Sequence, residues 1–234
     1  MTHATIIQHT AADSPATLVP ILEKLGVATT VIRLDRADEI PTSISGEILM
    51  TFGAPISLLE KNVPNWVQKE EELLRCTLEQ DKAVLGVCFG AQLLASVLGG
   101  GIVANQTAEV GWHRVWKSKV INHPGRFLNL PNDFNAFHWH RNRFEIPEGA
   151  TRLYQSEACE NQAFQWGERV AGFQFHFEAN EKTVRSFLLA SDLWKIDSKS
   201  VQGREEIFRQ TKSFLETQQM HLEEFMREFV SRSS

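Results

Sequence analysis

The residues most suggestive of chemistry lie in Ala83-Val84-Leu85-Gly86-Val87-Cys88-Phe89-Gly90-Ala91-Gln92. An apolar run passes through Gly-x-Cys-x-Gly directly into helix-forming residues, the form of a nucleophile elbow with Cys in place of Ser. The turn is tight, and a Cβ at either flanking position would crowd the strand and the helix, so glycine suits positions 86 and 90. The thiol is thereby presented at a helix N-terminus, where the helix dipole favours a thiolate nucleophile. The alternative is a buried structural cysteine in an ordinary strand-to-helix turn, which the two flanking glycines argue against. Cys76 and Cys159 have no such setting and read as structural.

A cysteine nucleophile needs a base, and the base needs an orienting group. Of the eight histidines, His176 has the best context, in Val170-Ala171-Gly172-Phe173-Gln174-Phe175-His176-Phe177-Glu178. Strand alternation puts Phe173, Phe175 and Phe177 on one face and Gln174, His176 and Glu178 on the other. One strand end can thus present an imidazole with a carboxylate beside it. His138-Trp139-His140 invites a metal reading, because alternate strand positions face the same way. No cysteine or third histidine has supporting spacing, so no metal is assigned. Glu109-Val110-Gly111-Trp112 reads as structural, with Trp112 as a packing anchor beside the pocket. Arg141 and Arg143 read as a solvated loop, and Trp116-Lys117-Ser118-Lys119 as an exposed strand edge where lysines discourage aberrant pairing.

These groups need a scaffold, and the first hundred residues supply an alternating one. Strands are expected over Ala4–His9, Val27–Leu34, Glu47–Phe52 and Ala83–Val87. A helix should start at Asp13-Ser14-Pro15, another should cover 63–80, and a third should run from Gly90 to Leu98 before the Gly99-Gly100-Gly101 stop. This alternation predicts an α/β fold with a mostly parallel central sheet and helices on both faces, flavodoxin-like in layout. The middle turns β-prone, with pieces at Val110–Val120, Arg152–Gln155, Phe164–Trp166 and Val170–Phe175. From about 181 the chain is helical again. Ile207, Phe208, Thr211, Phe214, Leu215, Leu222, Phe225, Met226 and Phe229 recur every three or four residues, the pattern of an amphipathic C-terminal helix or helix pair. Residues 1–190 are expected to form one α/β domain, with 191–234 a helical extension packed on it.

Composition bounds the rest. The chain has 234 residues, 24 Lys+Arg against 29 Asp+Glu, and 42% hydrophobic residues, which excludes a mostly disordered chain. A formal charge of −5 gives no electrostatic footprint for nucleic acid. No apolar run reaches membrane-spanning length, and the first residues lack the basic and apolar regions of a signal peptide. Three cysteines cannot form a disulfide framework, so a cytoplasmic location is expected.

Taken together, these motifs resemble the class I (triad) glutamine amidotransferase-like family, in the stand-alone branch similar to the amidotransferase domain of GMP synthase. The resemblance rests on residues 86–95, Glu109–Trp112, His140–Ala150 and Gln174–Glu178. The order Cys…His-x-Glu is the discriminating feature, since dienelactone-hydrolase-type cysteine enzymes place an acid between the Cys and the His. The resemblance implies that Cys88, His176 and Glu178 form the catalytic triad, and that a γ-glutamyl thioester forms and is then hydrolysed. It further implies an oxyanion hole from the backbone N–H groups of Gly53 and Phe89, substrate-binding roles for Gln92 and His140, and no cofactor. The implied partners are a small-molecule substrate (glutamine or another γ-glutamyl compound) and a separate synthase subunit, with a homodimer as a further option. Free-standing hydrolysis of γ-glutamyl conjugates and a non-catalytic binding role are the alternatives. Three departures from the family pattern stand out: Phe52 where a glycine is usual, Phe177 in place of proline, and Asn142 in place of a carboxylate.

Overall fold

Short β-branched runs separated by amphipathic helices fold into one nine-stranded sheet. The computed structural model describes residues 2–119, 127 and 129–233. Its strands are β1 (His3–Gln8), β2 (Ala28–Arg33), β3 (Ile48–Thr51), β4 (Ala83–Val87), β5 (Ile102–Lys117), β6 (Asp133–Phe144), β7 (Ala150–Gln155), β8 (Ala163–Trp166) and β9 (Val170–Phe173). The helices are α1 (Leu18–Lys24), α2 (Asn65–Glu79), α3 (Phe89–Val97), α4 (Glu181–Ala190) and α5 (Arg204–Ser233). Sheet order is β2-β1-β3-β4-β9-β8-β7-β5-β6. The half from β2 to β9 is parallel, as the alternating pattern predicts, and the half from β9 to β6 is antiparallel.

Two cores sandwich the parallel half. On one face, Leu18, Ile21 and Leu22 of α1 and Leu222, Phe225, Met226 and Phe229 of α5 pack with Ile6, Met50, Leu85 and Phe173. On the other, Val67, Leu73 and Leu74 of α2 and Leu93 and Leu94 of α3 pack with Ile7, Leu49 and Val84. The helical periodicity after residue 200 resolves into a single 30-residue helix. Its N-terminal half seats Ile207 with Trp112, Phe137 and Phe187 in a third cluster over β5 and β6. Among the described residues no helix is long and apolar enough to cross a membrane.

Four local expectations need correction. Helix α1 begins at Leu18 rather than at Asp13-Ser14-Pro15, because the Asp13 carboxylate is engaged by the Thr10 hydroxyl instead of capping a helix. The Trp116–Lys119 stretch is no edge, since Trp116 pairs with Asp133 of β6 on one side and Gln155 of β7 on the other. Arg141 and Arg143 lie in strand β6 rather than in a loop, with Arg143 bonded to Glu145. Strand β9 ends at Phe173, although the alternation expected through Phe177 persists in the following turn, where Phe175 and Phe177 still join the core. Val120, the expected end of a β-prone piece, lies outside the described residues.

Candidate active site

The candidate nucleophile, base and one oxyanion donor sit beyond the C-terminal ends of parallel strands, the edge where open α/β sheets place their ligands, while Gln92 lies in α3 and His140 in the antiparallel strand β6. Gly53 follows β3, Cys88 follows β4, and His176 lies just beyond β9. Cys88 adopts φ 53° and ψ −112°, a left-handed conformation costly for a residue with a side chain. The elbow is over-determined around it. The Cys88 N–H donates to the Phe173 carbonyl at 2.8 Å. A Cβ at Gly90 would lie 2.3 Å from the Thr51 carbonyl oxygen, and one at Gly86 would lie 2.7 Å from the Ala91 Cα. Only glycine fits at either position. Phe89 opens α3, so its N–H belongs to the first turn, which has no acceptor within the helix.

His176 and Glu178 are buried, at 0% and 1% exposure. The His176 Nδ1 lies 2.9 Å from Glu178 Oε1, which fixes the ring's orientation and leaves Nε2 as its free atom. Nε2 is buried and makes no hydrogen bond of good geometry, yet the ring interacts with Cys88 through charge and a longer polar contact. Contacts of this kind tighten in substrate complexes. Burial alone would lower the ring's pKa, but the Glu178 carboxylate and then Cys88 outweigh it and hold the imidazole well above its ordinary value. The ring packs 4.6 Å from Phe187 of α4.

The loop bearing His176 is tied down by residues distant in sequence. Thr17 donates its N–H and its hydroxyl to the Glu178 carbonyl. Gln218, fully buried in the middle of α5, donates its amide to the carbonyls of His176 and Phe177 and accepts the Phe137 N–H. The amphipathic stripe gives no signal for this role, because a buried glutamine in a helix reads like any polar position.

A cavity of about 700 Å³ opens over Cys88. Phe89, Gln92 and His140 line it, together with Asp13, Trp139 and Phe187, whereas His176 and Glu178 stand behind its wall. Trp112 packs beneath it against Phe137 and does not line it. Gln92 donates to the Asn142 carbonyl and to Gln174 Oε1. Both ring nitrogens of His140 face protein groups, Nδ1 the Asn142 carbonyl and Nε2 the Glu109 carboxylate. Gly53 abuts the base: a Cβ there would sit 2.1 Å from Asp13 Oδ1 and 3.2 Å from His176 Cε1.

Sequence reasoning missed the third member of the His138/His140 pair. Glu109 on β5 is paired with His140 in the β5–β6 ladder, and ligand atoms of the three buried side chains lie within 4.8 Å of one another. Such a His-His-carboxylate set is chemically able to hold a divalent cation. As it stands, the Gln162 amide donates to the same Glu109 oxygen, and the cluster ties β5 to β6 behind the cavity. Cys159 lies nearby, and burial, with Glu109 adding, pushes its thiol up to about 12. That fits the structural role expected of it.

Comparison with known proteins identifies the family. The model of the family "Glutamine amidotransferase class-I" matches residues 16–196. The chain belongs to that family. A glutamine amidotransferase-like protein of Salmonella typhimurium, YfeJ, is 24% identical over 187 residues, which cover 78% of each chain. The GMP synthase of Thermomicrobium roseum is 31% identical over 157 residues, 65% of this chain but only 27% of that enzyme. The crystal structure of a glutamine amido transferase from Methylobacillus flagellatus superposes with a TM-score of 0.89 at 28% identity, covering 99% of this chain and 95% of that one.

Proposed function

We propose that this amidotransferase hydrolyses the side-chain amide of glutamine, or of a related γ-glutamyl compound, through Cys88, His176 and Glu178. The observation that carries this reading is the His176 ring itself, bonded to Glu178 at Nδ1 and open at Nε2 beside a cysteine on a strained elbow. The Cys88 sulfur, its thiol proton already held on the raised His176 ring at Nε2, attacks the γ-carbonyl carbon. The N–H groups of Gly53 and Phe89 receive the oxyanion, a contribution of about 3–4 kcal/mol per donor in comparable sites. When the C–N bond breaks, His176 returns its proton to the leaving amine. Water, deprotonated by the same imidazole, then cleaves the thioester and frees the acid. Glu178 holds the ring and balances its charge throughout. Gln92 and His140 form the wall that the substrate's amino-acid end would meet.

Two physiological uses fit this chemistry. Ammonia could pass to a separate acceptor-activating synthase subunit, as the match to a GMP synthase suggests. The cavity is several times the bulk of glutamine, which favours a second reading, direct hydrolysis of larger γ-glutamyl peptides or conjugates. Both are tested together. The glutamine analogue 6-diazo-5-oxonorleucine should label Cys88, located by peptide mass spectrometry, and Cys88→Ala should lose both labelling and turnover. Turnover surviving in Cys88→Ala would refute the assignment. A kcat/KM panel of glutamine and γ-glutamyl peptides separates the two uses, with glutamine preferred under the first and a larger conjugate under the second.

A further inference from the structure

The end of β1 carries a buried ionisable group that this chemistry does not touch. His9 is buried, and so is Glu70 of α2, at 6% and 0% exposure. His9 Nδ1 lies 3.0 Å from the Gly53 carbonyl oxygen, and Nε2 lies 2.8 Å from Glu70 Oε2. A carbonyl oxygen only accepts, so Nδ1 must carry a proton and donate it. Nε2 then faces a carboxylate whose other oxygen is taken by the Thr51 hydroxyl, and that contact needs a second proton. The geometry therefore requires two protons shared between the ring and Glu70, one of them fixed at Nδ1. Burial opposes protonation of His9, but the charge and hydrogen bond of Glu70 outweigh it and raise the ring above its ordinary value. The ring lies 4.7 Å from Trp66, whose π face suits a cation, and meets Phe89 edge-on at 5.4 Å.

We propose that His9 and Glu70 are a positioning pair that aims the Gly53 peptide as an oxyanion donor, a role that rests on the amidase reading above. Gly53 is flanked by two peptide planes, and both are pinned. The Phe52 carbonyl accepts the Gly90 N–H at 3.0 Å, which fixes the plane carrying the Gly53 N–H. His9 fixes the next plane through the Gly53 carbonyl. Glycine has the widest backbone freedom of any residue, so a Gly53 held on one side only would sample orientations useless to an oxyanion. His9 also packs against Phe89, the residue supplying the other donor. One buried ring thus braces both halves of the proposed hole, with Thr51 and Glu70 bracing the ring.

The test compares wild type, His9→Asn and the double variant His9→Phe/Glu70→Met. The double variant removes the donor without stranding a buried carboxylate, whereas asparagine places an amide donor close to the position of Nδ1. Three readouts are needed: kcat and KM on the best γ-glutamyl substrate, the rate of Cys88 alkylation by iodoacetamide, and ¹⁵N shifts of the His9 ring. Losing an oxyanion donor costs about 10²–10³-fold in kcat, so misaiming one should cost about 10–100-fold. The expected result is that loss in the double variant, with KM within about twofold, unchanged alkylation, and most of the rate restored in His9→Asn. Unchanged kcat in the double variant, or a loss shared equally by KM and alkylation, would overturn the proposal. A His9 ring carrying no proton at Nδ1 at neutral pH would overturn it as well, whatever the kinetics. A wild-type chain that is alkylated at Cys88 yet turns over no γ-glutamyl amide would instead refute the amidase reading and, with it, this role for the pair.

Discussion

Replacing Glu178 with glutamine isolates the charge behind the proposed base. The glutamine amide oxygen can still accept the Nδ1 proton that the carboxylate accepts at 2.9 Å, so the tautomer and ring position survive. What is lost is the attraction between a buried carboxylate and the imidazolium that forms as Cys88 is deprotonated. With charge centres roughly 4 Å apart and an effective dielectric near 20, that attraction is worth about 4 kcal/mol. At about 1.36 kcal/mol per tenfold, kcat for γ-glutamyl hydrolysis should fall about a thousandfold. Protonation of His176 stabilises the fold, because its folded pKa is raised. That contribution is fully present below the unfolded value of about 6.5 and is lost as pH rises through the folded value. The variant should therefore lose stability relative to wild type chiefly on the acid side, with the gap closing as pH rises. Ammonia or amine release gives the rate, and urea unfolding at several pH values gives the stability. A kcat within tenfold of wild type, in a variant whose Cys88 still reacts with iodoacetamide, would refute the electrostatic argument.

Gln218→Leu removes two hydrogen bonds from α5 to the His176 loop and a third to Phe137 of β6. It should lower kcat at least tenfold while leaving the alkylation rate of Cys88 within about twofold. Equal kcat would show that the helix merely packs there. Gly90→Ala forces a Cβ to 2.3 Å from the Thr51 backbone oxygen, which no side-chain movement can relieve. The elbow should distort, with several kcal/mol of stability lost in urea unfolding, and a variant as stable as wild type would contradict the close approach. His138 is held down at about 3 by burial, against the pull of Glu109. Between its ordinary value of 6.5 and that value only the unfolded chain takes up the proton, so stability falls as pH falls. At pH 5 this amounts to about 2 kcal/mol. His138→Gln should remove that acid-side loss, and unfolding curves with the same pH slope in both proteins would exclude it.

The parallel half of the fold is legible in the sequence because each strand is a short β-branched run closed by a turn or helix signal. The candidate site is legible for the same reason: Gly-x-Cys-x-Gly sits where β4 ends, and His-x-Glu in the turn just after β9. Strand β6 escaped the same reasoning because both of its faces are buried, Phe137 and Trp139 on one and Phe134, Ala136, His138 and His140 on the other. His138 and His140 are buried against Glu109, so hydrophobic alternation fails where the pleat itself is regular. Asp13 escaped because its capping chemistry is local, while its actual neighbour is Gly53, forty residues away. Gln218 and Glu70 are harder still. Each is a single polar residue inside an amphipathic helix, and only the packed structure turns it inward.

The three departures from the resembled pattern each take up a structural role in this chain. Phe177, where proline is usual, joins Phe134, Phe173, Phe175 and Phe225 in one aromatic cluster. The turn that a proline would stiffen is held instead by core packing, and by Gln218 on its carbonyls. Phe52 is fully buried, and its carbonyl is bonded to Gly90, so the side chain anchors the loop while the following glycine provides the backbone freedom. Asn142 spends its amide on the Ser57 hydroxyl at 2.7 Å, and its backbone carbonyl receives Gln92. A carboxylate there would be an acceptor facing a hydroxyl, and Ser57 would have to reverse its bond. The Cys88–His176–Glu178 arrangement is thus supported from elements remote in sequence, Thr17 ahead of α1 and Gln218 in α5 among them.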